Sequence, residues 1–189
     1  MEWMLMPLRR YADFQGRSRR MEFWMFQLFT WILWIIVFML FMVVGGSAMF
    51  ASGAFQGGEP TEASLAALGG GFVLFIVMAG LLWLALIIPT LAVSVRRLHD
   101  SNKSGFWLLG YFVLLFAQYG FQIAALATAG ADTYESQAGG GLGILSVVVS
   151  LAMFVYAIVL LVFYFLPGTV GQNRFGPDPK GQVDFDVFN

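Results

Sequence analysis

The chain has 189 residues, of which 59% are hydrophobic and only 11% are charged, and its mean hydropathy is +0.78. A soluble domain has roughly 25% charged and 45–50% apolar residues, so a soluble fold is excluded and the class is integral membrane protein. The formal net charge of −1 gives no field that would attract nucleic acid, and the absence of cysteine excludes disulfides, thiolate metal sites and cysteine nucleophiles.

The first element is the segment of residues 1–22, which precedes any long apolar run. Its apolar side chains recur at spacings near three and four: Trp3, Pro7, Leu8, Tyr11 and Phe14. Arginines lie between them. This pattern predicts a short amphipathic helix in the inner interface of the membrane, with a segment packed on the helical bundle as the alternative.

Four apolar runs follow, each long enough to cross a bilayer. They occupy residues 23–44, 72–95, 106–129 and 142–166. About 20 helical residues span a hydrocarbon core of ~30 Å, and backbone groups in lipid must be satisfied within a helix. The sequence therefore predicts an all-α, polytopic membrane protein. It is a single domain over 1–189, with four transmembrane helices in an antiparallel bundle and a short N-terminal interfacial helix.

The connections between the runs differ in charge. All ten Lys and Arg residues lie in segments 1–22, 96–105 and 167–189, whereas segments 45–71 and 130–141 carry only acidic charges. Short loops rich in Lys and Arg stay on the cytoplasmic side. We therefore expect an inner-membrane protein with both termini in the cytoplasm and two glycine-rich periplasmic loops, the first holding one or two helical turns.

Polar residues inside the runs are few. Pro89 should kink the second helix, and Thr90 and Ser94 could satisfy the backbone groups that the kink frees. Gln118 and Gln122 are four residues apart on the third helix and form an intramembrane polar face. This face serves either interhelical hydrogen bonding or a polar lining for a ligand.

Three motifs stand at the predicted cytoplasmic ends of the helices. They are Gly-Arg-Ser-Arg-Arg-Met-Glu-Phe-Trp over residues 16–24, Arg-Arg-Leu-His-Asp over 96–100, and Asn-Arg-Phe-Gly-Pro-Asp-Pro over 173–179. In order and in placement among four spans, the chain resembles the YhaH and YhaI type of bacterial inner-membrane protein, a family of unknown function. The resemblance covers residues 10–179, and it implies no activity, substrate or cofactor.

The motifs supply a candidate cluster of charged and polar residues. Its members are Arg17, Arg19, Glu22, Arg96, Arg97, His99, Asp100, Asn173, Arg174 and Asp178. If the second helix continues past the membrane, Arg96 and Arg97 are close enough to Asp100 to pair with it. The cluster is interpreted as a topology anchor built from salt bridges, or as a site for an anionic phospholipid headgroup.

No catalytic, cofactor-binding or metal-binding residue is predicted. A zinc or haem site is improbable because the chain has a single histidine, which is too few for the usual ligand set. The leading hypothesis is a non-enzymatic accessory, scaffold or lipid-organising component. Its partners would be anionic phospholipid, another membrane protein or a second copy of itself, and no nucleic acid. The alternatives are a small solute or lipid transporter or flippase lined by Gln118 and Gln122, and a membrane-embedded enzyme that uses His99 on lipid headgroups.

Overall fold

The structure is a computed structural model that describes residues 2–51, 61–129 and 137–181. Over these ranges the fold is all-α, with five helices and no strand beyond one isolated bridge. The helices are α1 (Glu2–Arg9), α2 (Arg20–Ala51), α3 (Glu62–Asp100), α4 (Phe106–Ala129) and α5 (Gln137–Phe165). The described chain divides into two compact units. The first contains residues 1–13 and 21–93, and the second contains residues 14–20 and 94–189.

Four of the helices are long and apolar enough to cross a membrane. Their spanning segments are Arg20–Ser47, Leu65–Asp100, Phe106–Ala124 and Gly141–Phe165. Large apolar side chains on these segments point outward, and Trp31 and Phe106 are exposed by 67% and 77%. Such surfaces are stable against lipid and not against water. The predicted all-α membrane class and the number of spans are therefore confirmed.

In the first unit, α2 and α3 pack as an antiparallel pair. The ring of Phe41 lies 6.4 Å from that of Phe72 and 4.8 Å from that of Phe75, measured between ring centroids. Further along, a Cβ atom on Gly71 would lie 3.1 Å from a methyl carbon of Val44. Glycine thus allows the two helices to approach closely, as small residues do in membrane helix pairs.

Helices extend into the segment predicted as the first periplasmic loop. Helix α2 continues to Ala51 and α3 already begins at Glu62, so much of the segment assigned to a loop over 45–71 is helical. Helix α5 likewise begins at Gln137, inside the second predicted loop. Once a helix has nucleated, each added residue gains a backbone hydrogen bond, which here outweighs the helix penalty of glycine. Residues 52–60 and 130–136 lie outside the described ranges.

Helix α3 changes its surroundings along its length. Leu81 and Leu84 are exposed, whereas Leu86, Ala92 and Val93 are buried. Pro89 lies in the region of this change, and its ring nitrogen cannot donate a hydrogen bond to the carbonyl of Ala85. The Tyr11 hydroxyl donates to that carbonyl oxygen at 2.8 Å. Tyr11, which the sequence did not single out for this task, therefore satisfies the carbonyl that the proline frees, and the role predicted for Thr90 and Ser94 stays a prediction.

In the second unit, α4 and α5 pack against each other. The indole of Trp107 lies edge-on to Phe163, with ring centroids 5.0 Å apart, and the Tyr156 hydroxyl donates to the Trp107 carbonyl oxygen at 2.8 Å. Gly110 faces Tyr156 so closely that a Cβ atom there would lie 3.0 Å from the ring carbon Cζ and nearer still to the hydroxyl oxygen. Only glycine leaves space for that tyrosine.

Candidate functional site

The candidate site begins at the C-terminal end of α3, which closes in a Schellman motif. The backbone N–H of Lys103 donates to the carbonyl of Leu98 at 2.9 Å, and that of Asn102 donates to the carbonyl of His99 at 3.0 Å. Asn102 has a φ of 56°, in the left-handed region that asparagine tolerates. This motif turns the chain sharply from α3 into α4 and fixes the last turn of α3.

Asp100, the last residue of α3, joins two arginines from different parts of the chain. Its Oδ1 accepts from the Nε of Arg17 at 3.0 Å and lies 2.9 Å from Nη2 of the same residue. Its Oδ2 accepts from Nη1 of Arg97 at 2.5 Å. The side chains of Arg17, Arg97 and Asp100 are exposed by 1%, 0% and 6%. We call these three residues the arginine cluster.

The remaining donors of the two arginines bind backbone carbonyls. Arg97 donates to the carbonyl oxygens of Tyr164, at 3.1 Å, and Leu166. Arg17 donates to those of Gly171, at 2.5 Å, and Thr169. The last carbonyls of any helix lack partners within the helix, so the end of α5 needs such donors. The arginine cluster therefore caps α5 and binds the chain that follows it.

Arg20, which lies outside the predicted cluster, performs the same task from the first turn of α2. Its Nε donates to the carbonyl of Leu166 at 3.0 Å, and its Nη2 donates to that of Phe165. A cation at a helix C-terminus also interacts favourably with the helix dipole. Arg20 belongs to the first motif, but its partners could not be predicted, because it binds backbone carbonyls, which every residue carries.

The segment after α5 approaches Asp100 closely. The backbone N–H and hydroxyl of Thr169 both donate to the Asp100 carbonyl oxygen, at 2.8 Å and 3.2 Å. A Cβ atom on Gly168 would lie 2.7 Å from Oδ1 of Asp100 and nearer still to Oδ2. The pair Pro167-Gly168 thus does more than end the helix, since its glycine leaves room for the carboxylate.

The third motif folds into a tight turn on the end of α3. Asn173 and Gly176 exchange backbone hydrogen bonds at 3.1 Å, and the Asn173 side-chain oxygen accepts from the N–H of Phe175 at 2.9 Å. The Asn173 amide nitrogen donates to the carbonyl of His99 and to the hydroxyl of Thr169, both at 2.9 Å. One asparagine therefore shapes the turn and attaches it to α3.

His99 forms part of an aromatic stack. Its ring lies 3.9 Å from that of Phe175 with an interplanar angle of 5°, and the Arg174 guanidinium lies 4.6 Å from the centre of the Phe175 ring. The Nδ1 atom of His99 lies 3.2 Å from the carbonyl oxygen of Gly16. The neutral tautomer that donates this bond carries its proton on Nδ1. The adjacent Asp100 carboxylate binds arginines, so the two residues do not form a dyad.

Asp178 stabilises the end of the same tail. Its carboxylate accepts from the backbone N–H of Lys180 at 2.9 Å and from that of Gly171 at 3.1 Å. The Lys180 bond is the main reason that the pKa of this carboxyl lies below its ordinary value, and the Gly171 bond adds to it. The Asp178 carboxylate therefore accepts hydrogen bonds from backbone N–H groups within the tail.

The three other residues of the predicted cluster are Glu22, Arg96 and Arg19. Glu22 and Arg96 are buried, with 3% and 0% exposure, in the first turn of α2 and near the end of α3. The Arg96 carbonyl accepts from the N–H of Ser18 at 3.1 Å, and Arg19 donates to the carbonyl of Pro179 at 2.6 Å. The structure thus brings Arg17, Arg97 and Asp100 together, whereas Arg19 contacts Pro179 and Arg174 contacts Asn102 and Phe175.

The intramembrane glutamines differ from each other. The side-chain oxygen of Gln118 is buried and has no hydrogen-bond partner in the described part of the chain, whereas Gln122 is exposed. Of the two alternatives for this face, an interhelical bond to the Gln118 oxygen is therefore not among the contacts of residues 2–51, 61–129 and 137–181. Within the same ranges, no group of three His, Cys, Asp or Glu side chains is arranged to hold a metal ion.

Comparison with known proteins gives a consistent result. A family model described as "Protein of unknown function (DUF805)" matches residues 11–177. Inner membrane protein YhaI of Escherichia coli K12 is 28% identical over 180 residues, which cover 95% of this chain and 97% of that protein. Inner membrane protein YhaH of the same strain is also 28% identical over 180 residues, covering 95% and 98%. No solved structure matches. The chain is a four-span membrane protein and belongs to the DUF805 family.

Proposed function

We propose that this protein is a non-enzymatic accessory, scaffold or lipid-organising component of the inner membrane, with its motif-bearing face toward the cell interior. The observation that carries the proposal is the arginine cluster. Arg17 and Arg97 are buried, and Asp100 and backbone carbonyls occupy their donors. Removing one member of a buried ion pair is strongly destabilising, so these residues hold the helix ends in place.

The remaining motif residues support the same proposal. Asn173 binds the end of α3, and the ring of His99 is covered by that of Phe175. Both side chains already take part in contacts that hold the tail on the end of α3. This favours a structural role for the polar residues there over a role in proton transfer. A rigid end that carries cations at its rim is suited to bind anionic lipid or a partner subunit.

The orientation follows from charge. The ten Lys and Arg residues lie in segments 1–22, 96–105 and 167–189, which favours the cytoplasmic side for these segments. Green fluorescent protein fused after Asn189 should fluoresce in cells, because it folds in the cytoplasm. Alkaline phosphatase fused at the same point should be inactive. The reverse result would overturn the orientation.

The functional proposal is tested by gentle extraction into lipid nanodiscs, followed by mass spectrometry of every lipid and protein that stays bound. We expect anionic phospholipid above its share in the bulk membrane, or a membrane protein in fixed ratio. An unrelated four-span protein prepared in parallel is the control for carry-over. Bulk lipid composition together with the absence of any fixed-ratio partner would contradict the proposal.

A second candidate function is transport of a solute or lipid past α4. The buried oxygen of Gln118, which lacks a donor among the described residues, is the observation that favours it. A bound hydrogen-bond donor would satisfy this oxygen. Uptake in liposomes that is lost in Gln118→Leu and retained in the exposed-site variant Gln122→Leu would support transport, and inactivity of the unchanged chain would count against it.

A further inference from the structure

Two cations lie at the link between α3 and α4, and both are held by aromatic rings. The Arg174 guanidinium lies over the ring of Phe175 and donates from Nη2 to the carbonyl of Asn102 at 3.1 Å. The ammonium of Lys103, the next residue in the link, lies 5.1 Å from the centre of the Phe163 ring. The ring contacts position both groups without neutralising their charge.

Both cations retain donors that could bind an anion. A guanidinium has five N–H donors, and the described contacts of Arg174 include one hydrogen bond. Within residues 2–51, 61–129 and 137–181, neither Arg174 nor Lys103 forms an ion pair. The buried Arg17 and Arg97 differ in this respect, because both pair with Asp100 and backbone carbonyls occupy their other donors. Arg174 and Lys103 thus remain available to an anion at this link.

The link lies where lipid headgroups are expected. Helix α4 begins at Phe106, three residues after Lys103, and Phe163 stands in the last turn of α5. Trp107 contacts Phe163 at the same helix ends. Tryptophan at the end of a membrane span marks the level of the headgroups. Arginine and lysine at this level bind phosphate, the first through its planar fork and the second as a point charge.

We infer that Arg174 and Lys103 bind the phosphate of an anionic phospholipid, with the acyl chains along the apolar surface of α4 and α5. This inference rests on the proposed lipid-organising function and assigns its site. The arginine cluster is assigned a purely structural role. Each cation near a charged membrane surface strengthens binding about fivefold, so the pair should contribute roughly 30-fold.

The test uses the full-length chain in nanodiscs that contain phosphatidylglycerol and phosphatidylcholine, with retained lipids measured by native mass spectrometry. Arg174→Gln and Lys103→Gln should each lower the retention of phosphatidylglycerol relative to phosphatidylcholine about fivefold, and the double variant roughly 30-fold. Lys180→Gln is the matched control, because it removes an exposed positive charge elsewhere and should leave the ratio unchanged. Circular dichroism confirms that each variant is folded, and Arg174→Lys provides a milder change at the same position.

Three outcomes would overturn the inference, and they are distinguishable from failure of the functional proposal. The site is wrong if the unchanged chain selects phosphatidylglycerol and the double variant does so equally. It is also wrong if Lys180→Gln lowers the retention of phosphatidylglycerol as much as Arg174→Gln does, because any positive charge on the surface then attracts the lipid equally. If inorganic phosphate raises the melting temperature as much as phosphatidylglycerol does, the ligand is a soluble anion and the lipid assignment is wrong. The absence of any selection by the unchanged chain would instead remove the lipid-organising function itself.

Discussion

The Tyr11 hydroxyl donates a hydrogen bond of 2.8 Å to the carbonyl oxygen of Ala85, although 74 positions separate the two residues. Ala85 is four residues before Pro89, so its carbonyl is the one that the proline leaves without an intrahelical donor. A tyrosine from the N-terminal segment therefore repairs a specific defect in α3. The bond also attaches the segment after α1 to a membrane span.

Removing the Tyr11 hydroxyl should destabilise the fold. We expect Tyr11→Phe to lower the free energy of unfolding by about 1 kcal/mol, because the Ala85 carbonyl then has no donor. Pro89→Ala restores the backbone N–H, so the same tyrosine change should have little effect in that background. A double-mutant cycle measured by denaturant titration in detergent isolates this coupling. Tyr119→Phe, at an exposed tyrosine, is the control, and equal effects of Tyr11→Phe with and without Pro89 would contradict the prediction.

Removing the Asp100 carboxylate should affect the fold more strongly. Asp100→Leu leaves two buried guanidinium groups without a counter-charge, and we expect a loss of about 3 kcal/mol in the free energy of unfolding. Arg97→Leu should have a smaller effect, because Arg17 still neutralises the carboxylate. Thermal melting monitored by circular dichroism measures both. Arg9→Leu, which removes an exposed arginine, should melt with the unchanged protein, and equal melting of all three variants would refute the arginine cluster.

Adding a single methyl group at Gly168 tests the close approach to Asp100. A Cβ atom there would overlap the carboxylate, so Gly168→Ala must displace either the tail or Asp100. We expect a loss of about 2 kcal/mol, within the range of overpacking substitutions. Gly120→Ala is the matched control, because a Cβ atom on Gly120 meets nothing within 4 Å. A Gly168→Ala variant that is as stable as Gly120→Ala would show that the tail lies elsewhere.

The lowered pKa of Asp178 predicts a dependence of stability on pH. A carboxyl whose pKa is lower in the folded state stabilises the fold above its unfolded pKa of about 3.9, and this contribution is lost as the pH falls through the folded value. The difference in melting temperature between the unchanged protein and Asp178→Asn should therefore shrink as the pH falls from about 5 to 2. A difference that grows on acidification would mean that the protonated carboxyl is the stabilising form.

The number of membrane-spanning helices could be predicted from the sequence, because the length of an apolar run determines whether the segment can cross a membrane. It was also sufficient for the pairing of Arg97 with Asp100, since helical spacing puts residues three apart on one face. The helices extend further than predicted, because glycine content was given more weight than helix propagation through Ala51 and from Glu62. Segment composition alone does not fix where a helix ends.

Contacts between side chains and distant backbone could not be predicted from the sequence. Every residue carries a carbonyl, so nothing in the sequence marks Ala85 as the acceptor for Tyr11 or Leu166 as the acceptor for Arg20. The same applies to Gly168, whose role depends on the position of Asp100 in space. Sequence patterns report spacing within one element, whereas these contacts depend on how the elements are packed.

The long separation between Arg17 and its partners has a consequence for biosynthesis. The carbonyls of Thr169 and Gly171 follow Arg17 by 152 and 154 positions. A ribosome that adds roughly 5–20 residues per second produces them about 8–30 s after the arginine. Asp100 follows Arg17 by only 83 positions, so the ion pair can form before these two carbonyls exist. Docking of the tail on Arg17 can therefore begin only after residues 169–171 have been synthesised, when all four spans are already complete.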